Sequence, residues 1–479
     1  MSTSPAPHHI RVDRPLRIAC LATHAGHAGG AAIAMERLAT ALRVAGARLD
    51  LVTRADMPTP VAAARRLDRL VRRGIRQRRT PLSNTLFTAD WPAWDVVCHP
   101  AVAAADLVNV HWVAGFVAAA GIRRLVESSR PVAWTLHDMR AFTGGCHYTS
   151  GCAGFTTDCG SCPQLGPALQ ALPERSLARA SRRLAGVPLE FIAPSRWLAG
   201  ELIRSRLFDA GSHRVRVIPN GLDLTRYAPG HRPAARRRLG LPAEGLAILL
   251  GSVSLDERRK GARFAAEAVA RAATELTRRG RAAAPVVVTY GSGELVIPGV
   301  ACRHLGPLDE AGVVEAVHAC DLHLTMARED NLPNTVMEAL ACGVPVVATR
   351  TGGHPEMVTD GLEGWLVGVD DAPAAAATLV RLAEDPAAVQ AAGGRGRSRA
   401  EREWDARLQA CRYLELAAEC QAGLRQPRAA TAAAGRRAPA EPSLEPSLSQ
   451  LSPAAVAALP RGGSLRGPLR RLRRLAPWR

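Results

Sequence analysis

Short apolar runs alternate with helix-like segments along most of this chain, and that alternation limits the fold more than any other feature. The first series of runs covers residues 16–23, 48–53, 106–112, 131–137 and 189–194. The second series covers residues 247–253, 285–290, 321–326 and 345–349. Nearly continuous apolar runs are typical of parallel strands that helices cover on both faces. Two such series predict an α/β fold with two Rossmann-like, doubly wound domains that face each other across a cleft.

The pattern also predicts how the 479 residues divide. We expect the two domains to span residues 16–190 and 191–385, because most of each series lies in one of these segments. Residues 386–424 have a helical pattern and are expected to pack back onto the domains. The remaining parts are a flexible amino terminus (1–15) and a basic segment (425–479) rich in Ala, Pro, Arg and Ser, which we expect to be disordered.

Composition indicates a cytoplasmic protein. No charged segment followed by an apolar core opens the chain, so we expect no signal peptide. The longest apolar region, residues 96–122, is interrupted by polar side chains and is typical of buried strands rather than a membrane span. Eleven cysteines in this length do not form the dense framework of a small secreted domain.

The net charge of +19 is concentrated in two places. Residues 61–79 hold eight arginines against Asp68, and residues 425–479 hold eleven arginines against two glutamates. Such local basic patches suit anionic lipid surfaces or polyanionic partners, and neither aromatic interleaving nor zinc-finger spacing supports nucleic-acid binding. Leucines alternate with arginines in 465–479, where both a membrane-bound segment and a solvated disordered tail are consistent with the pattern.

Lys260 is the single lysine among 62 basic residues. Because arginine fills every other basic position, a lysine here indicates a site where a compact point charge is needed, such as a phosphate site. Chance survival of one lysine codon is the alternative.

Two acids, Asp330 and Glu338, flank the start of a predicted helix at Asn334. A carboxylate can accept hydrogen bonds from both hydroxyls of a ribose, and free N–H groups at a helix start favour an anion. The alternative is an acidic cap on a surface helix. A second loop, GSVSLDERRKG at 251–261, follows another strand and places Arg259 and Lys260 at the same end of the sheet.

The combined motifs resemble the retaining family-4 glycosyltransferases of the GT-B fold. These motifs are the two acids, ACGVPVVA at 341–348, the glycine pair 352–353 before Glu356, the Arg-Lys-Gly turn and PNGLD at 219–223. The resemblance covers about residues 16 to 407. It implies that a nucleotide-sugar donor binds the carboxyl-terminal domain and that the acceptor binds the amino-terminal domain.

The resemblance also implies roles for individual residues. The basic pair Arg259 and Lys260 would bind the diphosphate, and Glu338 would hold the ribose hydroxyls. Asp330 and the segment 331–335 would contact the transferred sugar, where the family usually has glutamate in place of Asp330. Glu329 beside it is a candidate to compensate for the shorter side chain. The predicted donor-site residues are Gly29, Gly30, Asn220, Arg259, Lys260, Asp330, Asn331, Leu332, Pro333, Asn334, Thr335 and Glu338, and the predicted catalytic residues are His137, Arg259, Lys260 and Asp330.

The amino-terminal half resembles a narrower branch, the exopolysaccharide enzymes of the colanic-acid type. The residues that carry this likeness are NVHW at 109–112, WTLHDM at 134–139 and FTGGCHY at 142–148. His137 resembles the family's donor-sugar histidine, although a capping histidine satisfied by a backbone carbonyl is the alternative. Gly29 and Gly30 correspond to a loop where the donor phosphates or the acceptor approach the backbone.

Four cysteines within seventeen positions, Cys146, Cys152, Cys159 and Cys162, end in a C-x-x-C pair. Thiolates at such positions can form a tetrahedral site for structural zinc. The spacing is not a standard zinc pattern, so free buried thiols and redox chemistry remain open.

From the resemblance we expect transfer with retention at the anomeric carbon, in cell-surface polysaccharide synthesis, to a saccharide or lipid-linked saccharide. No nucleophilic carboxylate is evident, which favours a front-side displacement assisted by the leaving diphosphate. No Asp-x-Asp motif is present, so a catalytic metal is not expected. The alternatives are a non-catalytic scaffold on the same fold, which regulates an assembly complex, and a phosphorylase-like enzyme.

Overall fold

The structure is a computed structural model and describes residues 14–25, 29–57, 62–82, 86–91, 94–281 and 284–425, with the backbone alone for 62–69 and 423–425. The expectations for residues 1–13, for the segment 426–479 and for its part 465–479 lie outside the described residues. Part of the basic segment 61–79 also lies outside them.

The first sheet is built from six parallel strands in the order β2-β1-β3-β4-β5-β6. Its central strands are almost wholly buried, as expected of strands covered on both faces. The strands are β1 (Arg17–Ala22), β2 (Arg48–Thr53), β3 (Leu107–Val110), β4 (Val132–Thr135), β5 (Leu189–Ala193) and β6 (His213–Val217).

The second sheet also has six parallel strands, in the order β12-β11-β10-β7-β8-β9. Its strands are β7 (Ala247–Ser254), β8 (Val286–Ser292), β9 (Ala301–His304), β10 (Leu322–Thr325), β11 (Val346–Thr349) and β12 (Gly364–Val367). The strand order changes direction in each sheet, at β1 and β3 in the first and at β7 and β10 in the second. In open α/β sheets, ligands bind outside the carboxyl ends of the strands at such switch points.

Helices connect and cover the strands of both sheets. They are α1 (Gly30–Val44), α2 (Ala62–Gln77), α3 (Pro100–Ala103), α4 (Ala119–Glu127), α5 (Ala171–Leu184), α6 (Arg196–Arg204), α7 (Arg232–Leu239), α8 (Ala262–Arg278), α9 (Glu310–Ala319), α10 (Asn334–Ala341), α11 (His354–Met357), α12 (Ala372–Glu384), α13 (Pro386–Glu403) and α14 (Ala406–Arg425). Short 3₁₀ turns, among them Arg258–Lys260, complete the loops at the cleft. No helix of the described residues is both long and apolar enough to cross a membrane.

The predicted fold class is confirmed, because two doubly wound parallel sheets face each other across a cleft. The boundary that we placed after residue 190 falls inside β5, and β6 also pairs within the first sheet. The first sheet therefore extends to Val217. The sequence did not indicate β6 as a strand, because arginines alternate with its apolar residues.

Helix α14 packs onto the first domain although it follows the second along the chain. Tyr413 and Leu414 share a hydrophobic cluster with Leu16, which directly precedes β1, and with Met35 of α1. The hydroxyl group of Tyr413 also lies 2.9 Å from that of Thr135 at the end of β4. The last helix thus completes the core of the first domain.

Candidate active site

The loops at the carboxyl ends of both sheets border one cleft of about 630 Å³. This volume lies within the range of about 300–1,000 Å³ that is typical of small-molecule sites. The structure brings all of the predicted donor-site and catalytic residues to this cleft, and their roles stay predictions. They are Gly29, Gly30, His137, Asn220, Arg259, Lys260, Asp330, Asn331, Leu332, Pro333, Asn334, Thr335 and Glu338.

Helix α10 begins at the cleft without a side-chain cap. Its N-cap residue is Pro333, which has no side-chain acceptor, and no acidic residue lies in its first turn. Asp330 accepts a hydrogen bond from the backbone N–H of Asn331, at 3.0 Å, and does not cap the helix. The alternative, in which an acidic side chain caps this helix, is therefore wrong for α10. The first N–H groups of α10 are available to an anion.

The buried carboxylate of Asp330 lies between two cations. Lys260 Nζ is 2.7 Å from Asp330 Oδ2, and Arg259 Nη1 is 3.0 Å from Asp330 Oδ1. Burial raises the pKa of Asp330, but the charges of Arg259 and Lys260 outweigh that effect and hold the pKa well below its usual range. Asp330 is thus ionised, and the basic pair predicted to bind a diphosphate is pre-arranged around it.

Glu329 does not compensate for the short side chain of Asp330, so that expectation was wrong. Its carboxylate accepts hydrogen bonds from the backbone N–H groups of Thr149 and Ser150, at 3.1 and 2.9 Å, and from the Thr149 hydroxyl at 3.0 Å. Glu329 therefore binds the first domain while Asp330 faces the basic pair.

Glycines allow the loops of the second domain to approach one another. A Cβ atom on Gly352 would lie 1.8 Å from the carbonyl oxygen of Asp330, and one on Gly353 would lie 1.6 Å from that of Asn331. Gly261, after Lys260, is equally restricted, because its Cβ would lie 1.8 Å from the Met326 carbonyl oxygen. The positions of the acidic loop and of the basic turn thus depend on residues without a side chain.

His137 lies at the end of β4 and reaches the cleft from the first domain. Its Nε2 is 3.1 Å from Nδ1 of His111, and the two rings stack with centroids 5.3 Å apart. Burial lowers the pKa of His137 to about 4, although the negative charge of Asp138 acts to raise it. His137 is therefore neutral at pH 7. Its ring contacts another histidine, whereas its backbone carbonyl accepts a hydrogen bond from the Asn331 side chain at 3.3 Å.

Sequence reasoning did not assign roles to Asp138 and His147, which lie at the same cleft. Asp138 Oδ2 is 2.7 Å from His147 Nδ1 and accepts a hydrogen bond from the Trp112 indole at 2.8 Å. Burial raises the pKa of Asp138, but the charge of His147 and the hydrogen bonds to the carboxylate outweigh that effect. The pKa of Asp138 is therefore lowered. These residues belong to the motifs 109–112, 134–139 and 142–148. The three motifs therefore converge on one wall of the cleft.

Tyr148 connects that wall to the second domain. Its ring lies under the guanidinium group of Arg259, 4.1 Å from the ring centroid, and its hydroxyl is 3.4 Å from Asp330 Oδ1. On the other side of the cleft, Arg37 of α1 donates a 2.8 Å hydrogen bond to Glu338 Oε1. Tyr148 belongs to the motif at 142–148, but neither it nor Arg37 carried a sequence signal for its partner, because the partners are 182 and 301 positions away.

The four clustered cysteines line one small cavity of about 20 Å³, away from the cleft. All four are free thiols, and burial raises the pKa of Cys159 to about 11 and that of Cys146 further still. Across the described residues, no three His, Cys, Asp or Glu side chains are placed so that they could hold a metal ion. The four cysteines therefore converge on one cavity as free thiols. Structural zinc stays a prediction, which metal analysis of the reduced protein would test.

Two family models match the chain. "Glycosyltransferase Family 4" matches residues 28–226, and "Glycosyl transferases group 1" matches residues 246–385. The two matched segments contain the first and the second sheet, apart from β1 at the start of the first.

Three of the curated relatives match between 44% and 74% of this chain. A D-inositol 3-phosphate glycosyltransferase of Nocardia farcinica (strain IFM 10152) is 30% identical over 392 residues, which cover 74% of this chain and 79% of the relative. One of Saccharomonospora viridis is 33% identical over 231 residues, 44% of this chain and only half, 50%, of the relative. A putative colanic acid biosynthesis glycosyl transferase of Escherichia coli (strain K12) is 28% identical over 245 residues, 49% of this chain and 56% of the relative.

Solved structures share the fold at low sequence identity. A sucrose-phosphate synthase from Thermosynechococcus elongatus superposes with a TM-score of 0.59 at 19% identity, over 86% of this chain and 100% of that structure. An Anabaena protein solved in complex with UDP and glucose superposes with a TM-score of 0.54 at 15% identity, over 84% of this chain and 99% of that structure.

Proposed function

This chain belongs to the family-4 glycosyltransferases of the GT-B fold, and from that premise we propose a retaining transferase that uses a nucleotide-diphosphate sugar. The sugar moves to a saccharide or a lipid-linked saccharide in the synthesis of a cell-surface polysaccharide. The likeness to the colanic acid transferase supports the role in polysaccharide synthesis. The Anabaena structure, which holds UDP and glucose, supports a nucleotide-sugar donor.

The observation that carries the proposal is the arrangement around the start of α10. Uncapped N–H groups, Lys260 and Arg259 lie at one edge of the cleft, and Glu338 lies one turn into the helix. A diphosphate over the helix start would meet the N–H groups and both cations. The ribose would then lie near Glu338, and the sugar near Asp330 and His137.

In the proposed reaction, the bond between the anomeric carbon and the diphosphate oxygen breaks while the acceptor oxygen bonds to the same face of that carbon. The acceptor proton passes to the leaving diphosphate. Arg259 and Lys260 stabilise the negative charge that develops on the diphosphate, and His137, neutral at pH 7, can hydrogen-bond the sugar. Magnetic resonance of the first product formed measures the anomeric configuration, and inversion would contradict the proposal.

We further propose that the protein works in the cytoplasm at the inner face of the membrane, where a lipid-linked acceptor would be presented. The described end of α2 supports this, because Leu70 is 65% exposed and the neighbouring Arg72, Arg73 and Arg76 are also exposed. An exposed apolar residue among arginines suits an anionic bilayer. Flotation with vesicles that contain phosphatidylglycerol, compared with phosphatidylcholine alone, measures this binding; equal recovery in both would contradict it.

The main test is sugar transfer by membranes or purified protein supplied with a panel of nucleotide sugars. We expect Lys260→Ala and Glu338→Ala each to lower kcat/KM by about a hundredfold or more, because each removes a charge-assisted contact. Arg258→Ala is the matched control, since Arg258 belongs to the same 3₁₀ turn but binds the Pro81 carbonyl outside the cleft.

Unchanged transfer by both variants would exclude the proposed donor site. Absence of any transfer, with the protein still bound to an assembly complex, would favour a non-catalytic scaffold. Release of a sugar phosphate in place of a nucleoside diphosphate would favour a phosphorylase-like reaction.

A further inference from the structure

Arg37 lies in the first domain, yet its side-chain hydrogen bonds within the described residues all go to residues that follow the first sheet in the chain. It lies on α1, two turns after Gly30, and its side chain is 11% exposed. Its Nε donates to Glu310 Oε1 at 2.9 Å. Its Nη2 donates to the Tyr227 hydroxyl at 2.6 Å and to Glu338 Oε1 at 2.8 Å. The guanidinium group also lies over the ring of Tyr227, 5.0 Å from the centroid.

Arg37 is one of two residues that connect α1 with α10 across the cleft. The side chain of Asn334, at the start of α10, donates to the Gly30 carbonyl at 3.2 Å. One turn further along α10, Glu338 meets Arg37. Two contacts therefore connect these helices at the cleft, and the one made by Arg37 is the charged one.

Glu338 depends on this contact for its counter-charge. Its side chain is 7% exposed, and among the described residues Arg37 is the cation with which it forms an ion pair. A buried carboxylate without a cation is unfavourable. The hydrogen bond uses Oε1, and no hydrogen bond to Oε2 is found in the described part of the chain. Oε2 is thus the oxygen left for a ligand in the cleft.

The guanidinium group itself is not fully satisfied. Arg37 Nη1 is buried and lacks a hydrogen-bond partner within the described residues. Buried donors usually have partners, and those that do not require an explanation. Arg37 lines the cleft, so this donor belongs to a side chain that a bound nucleotide would meet.

We propose that Arg37 is a positioning residue for nucleotide recognition. It orients the Glu338 carboxylate so that Oε2 can accept hydrogen bonds from the ribose hydroxyls, an inference that rests on the proposed role of Glu338. Because Arg37 belongs to the first domain, ribose recognition is complete only while the two domains are in contact. Domain closure is in this way coupled to whether the nucleotide contains ribose or deoxyribose.

The test compares ribonucleotides with their 2′-deoxy analogues by calorimetry. UDP, GDP and ADP are each titrated, and the tightest is paired with its 2′-deoxy form. We expect the unaltered protein to prefer the ribose form by about tenfold or more, as for loss of a hydrogen bond to a charged group. Arg37→Met should reduce this preference to about threefold or less.

Two further variants separate the possible outcomes. Glu338→Gln should lose the preference, which tests the proposed role of Glu338 itself. Arg226→Met should keep it, because Arg226 also pairs with Glu310, at 2.8 Å, but does not contact Glu338 and is 50% exposed. Arg37→Lys retains the charge but cannot contact Glu310, Tyr227 and Glu338 together, and it should give an intermediate preference. This variant serves as the test if Arg37→Met does not fold.

The inference is overturned, and the proposed function left intact, if Arg37→Met retains the ribose preference while Glu338→Gln loses it. If only Arg37→Lys folds, full retention of the preference by that variant has the same meaning. Tighter nucleotide binding by Arg37→Met would also overturn it, because Arg37 would then compete with ribose for Glu338. If Glu338→Gln keeps the preference, or no nucleotide binds the unaltered protein, the proposed donor site fails and the inference fails with it.

Discussion

At the scale of single residues, Lys260 and Asp330 form the pair on which the site depends. The lysine ammonium group contacts one carboxylate oxygen at 2.7 Å, while the Arg259 guanidinium group contacts the other at 3.0 Å. The carboxylate therefore receives a point charge on one side and a planar, multivalent donor on the other. The single lysine of the chain stands at the position where a second guanidinium group would have to fit beside the first.

We expect Lys260→Arg to be a damaging substitution although it preserves the charge. The larger planar group cannot approach Asp330 beside Arg259 as the ammonium group does, so kcat/KM should fall by about tenfold or more. Arg258→Lys, a basic exchange in the same turn, is the control and should leave the rate unchanged. Steady-state kinetics with the preferred donor measures both. A near-normal rate for Lys260→Arg would mean that the lysine is there by chance.

At the scale of elements, the cleft is formed by loops whose glycines pack directly on neighbouring backbone. Gly353 lies against the Asn331 carbonyl, so the loop that precedes α10 is held by the turn that precedes α11. The start of α10 is thereby fixed relative to β11. The position of the uncapped helix start depends on this contact as much as on its own sequence.

Gly353→Ala should therefore move the loop that carries Asp330 and Asn331. The added Cβ would lie 1.6 Å from a backbone oxygen, which cannot rotate away as a side chain would. We expect a loss of about 2 kcal/mol or more in the free energy of unfolding, together with weaker donor binding. Gly394→Ala is the control, because its Cβ meets nothing within 4 Å and it lies within α13. It should be neutral or stabilising by up to about 1 kcal/mol.

Urea unfolding and donor titration measure the two effects. A Gly353→Ala protein as stable and as active as the unaltered one would show that the turn adapts without moving the loop.

The elements also show what the sequence could and could not predict. The strands in the middle of each sheet and the start of α10 at Asn334 were predicted, because buried strands and helices have clear apolar periods. The strands missed, β6, β9 and β12, each lie at the edge of a sheet. An edge strand has one neighbour and tolerates polar residues, as in β9, where all four residues are exposed. The sequences of β6 and β9 therefore resemble loops, whereas β12 is a largely buried run of only four residues.

The site was predictable to a similar degree. Residues in local motifs, such as Lys260 and Glu338, were placed at the cleft because strand ends meet at one edge of a sheet. Contacts between the domains were not predictable, since they join residues that are far apart in the chain. The orientation of Glu329 toward Thr149 and the contact of Arg37 with Glu338 are both of this kind.

At the scale of the whole molecule, buried histidines make stability depend on pH. Burial lowers the pKa of His137 and of His323 from 6.5 to about 4 each. Between those two values the unfolded chain binds protons that the folded chain does not. The free energy of unfolding is therefore highest above pH 6.5 and decreases as the pH falls toward 4.

We expect the free energy of unfolding to be lower at pH 5 than at pH 7.5 by on the order of 2 kcal/mol or more. Urea denaturation at a series of pH values measures this. His323→Gln should flatten the dependence, because it removes a buried titrating group, whereas His304→Gln changes an exposed histidine and should not. A free energy of unfolding that is constant from pH 7.5 to 5 would contradict the expectation.

The position of α14 has a consequence for exchanging parts between related enzymes. Because α14 completes the core that contains Leu16 and Met35, the first domain is discontinuous, and the second is inserted between Val217 and Ala406. A chimera joined at a single point would pair the first sheet with a foreign last helix and leave its core mismatched. Grafting a new second domain requires two junctions, one in each of the two chain segments that connect the domains. Helix α14 then stays beside its native partner α1.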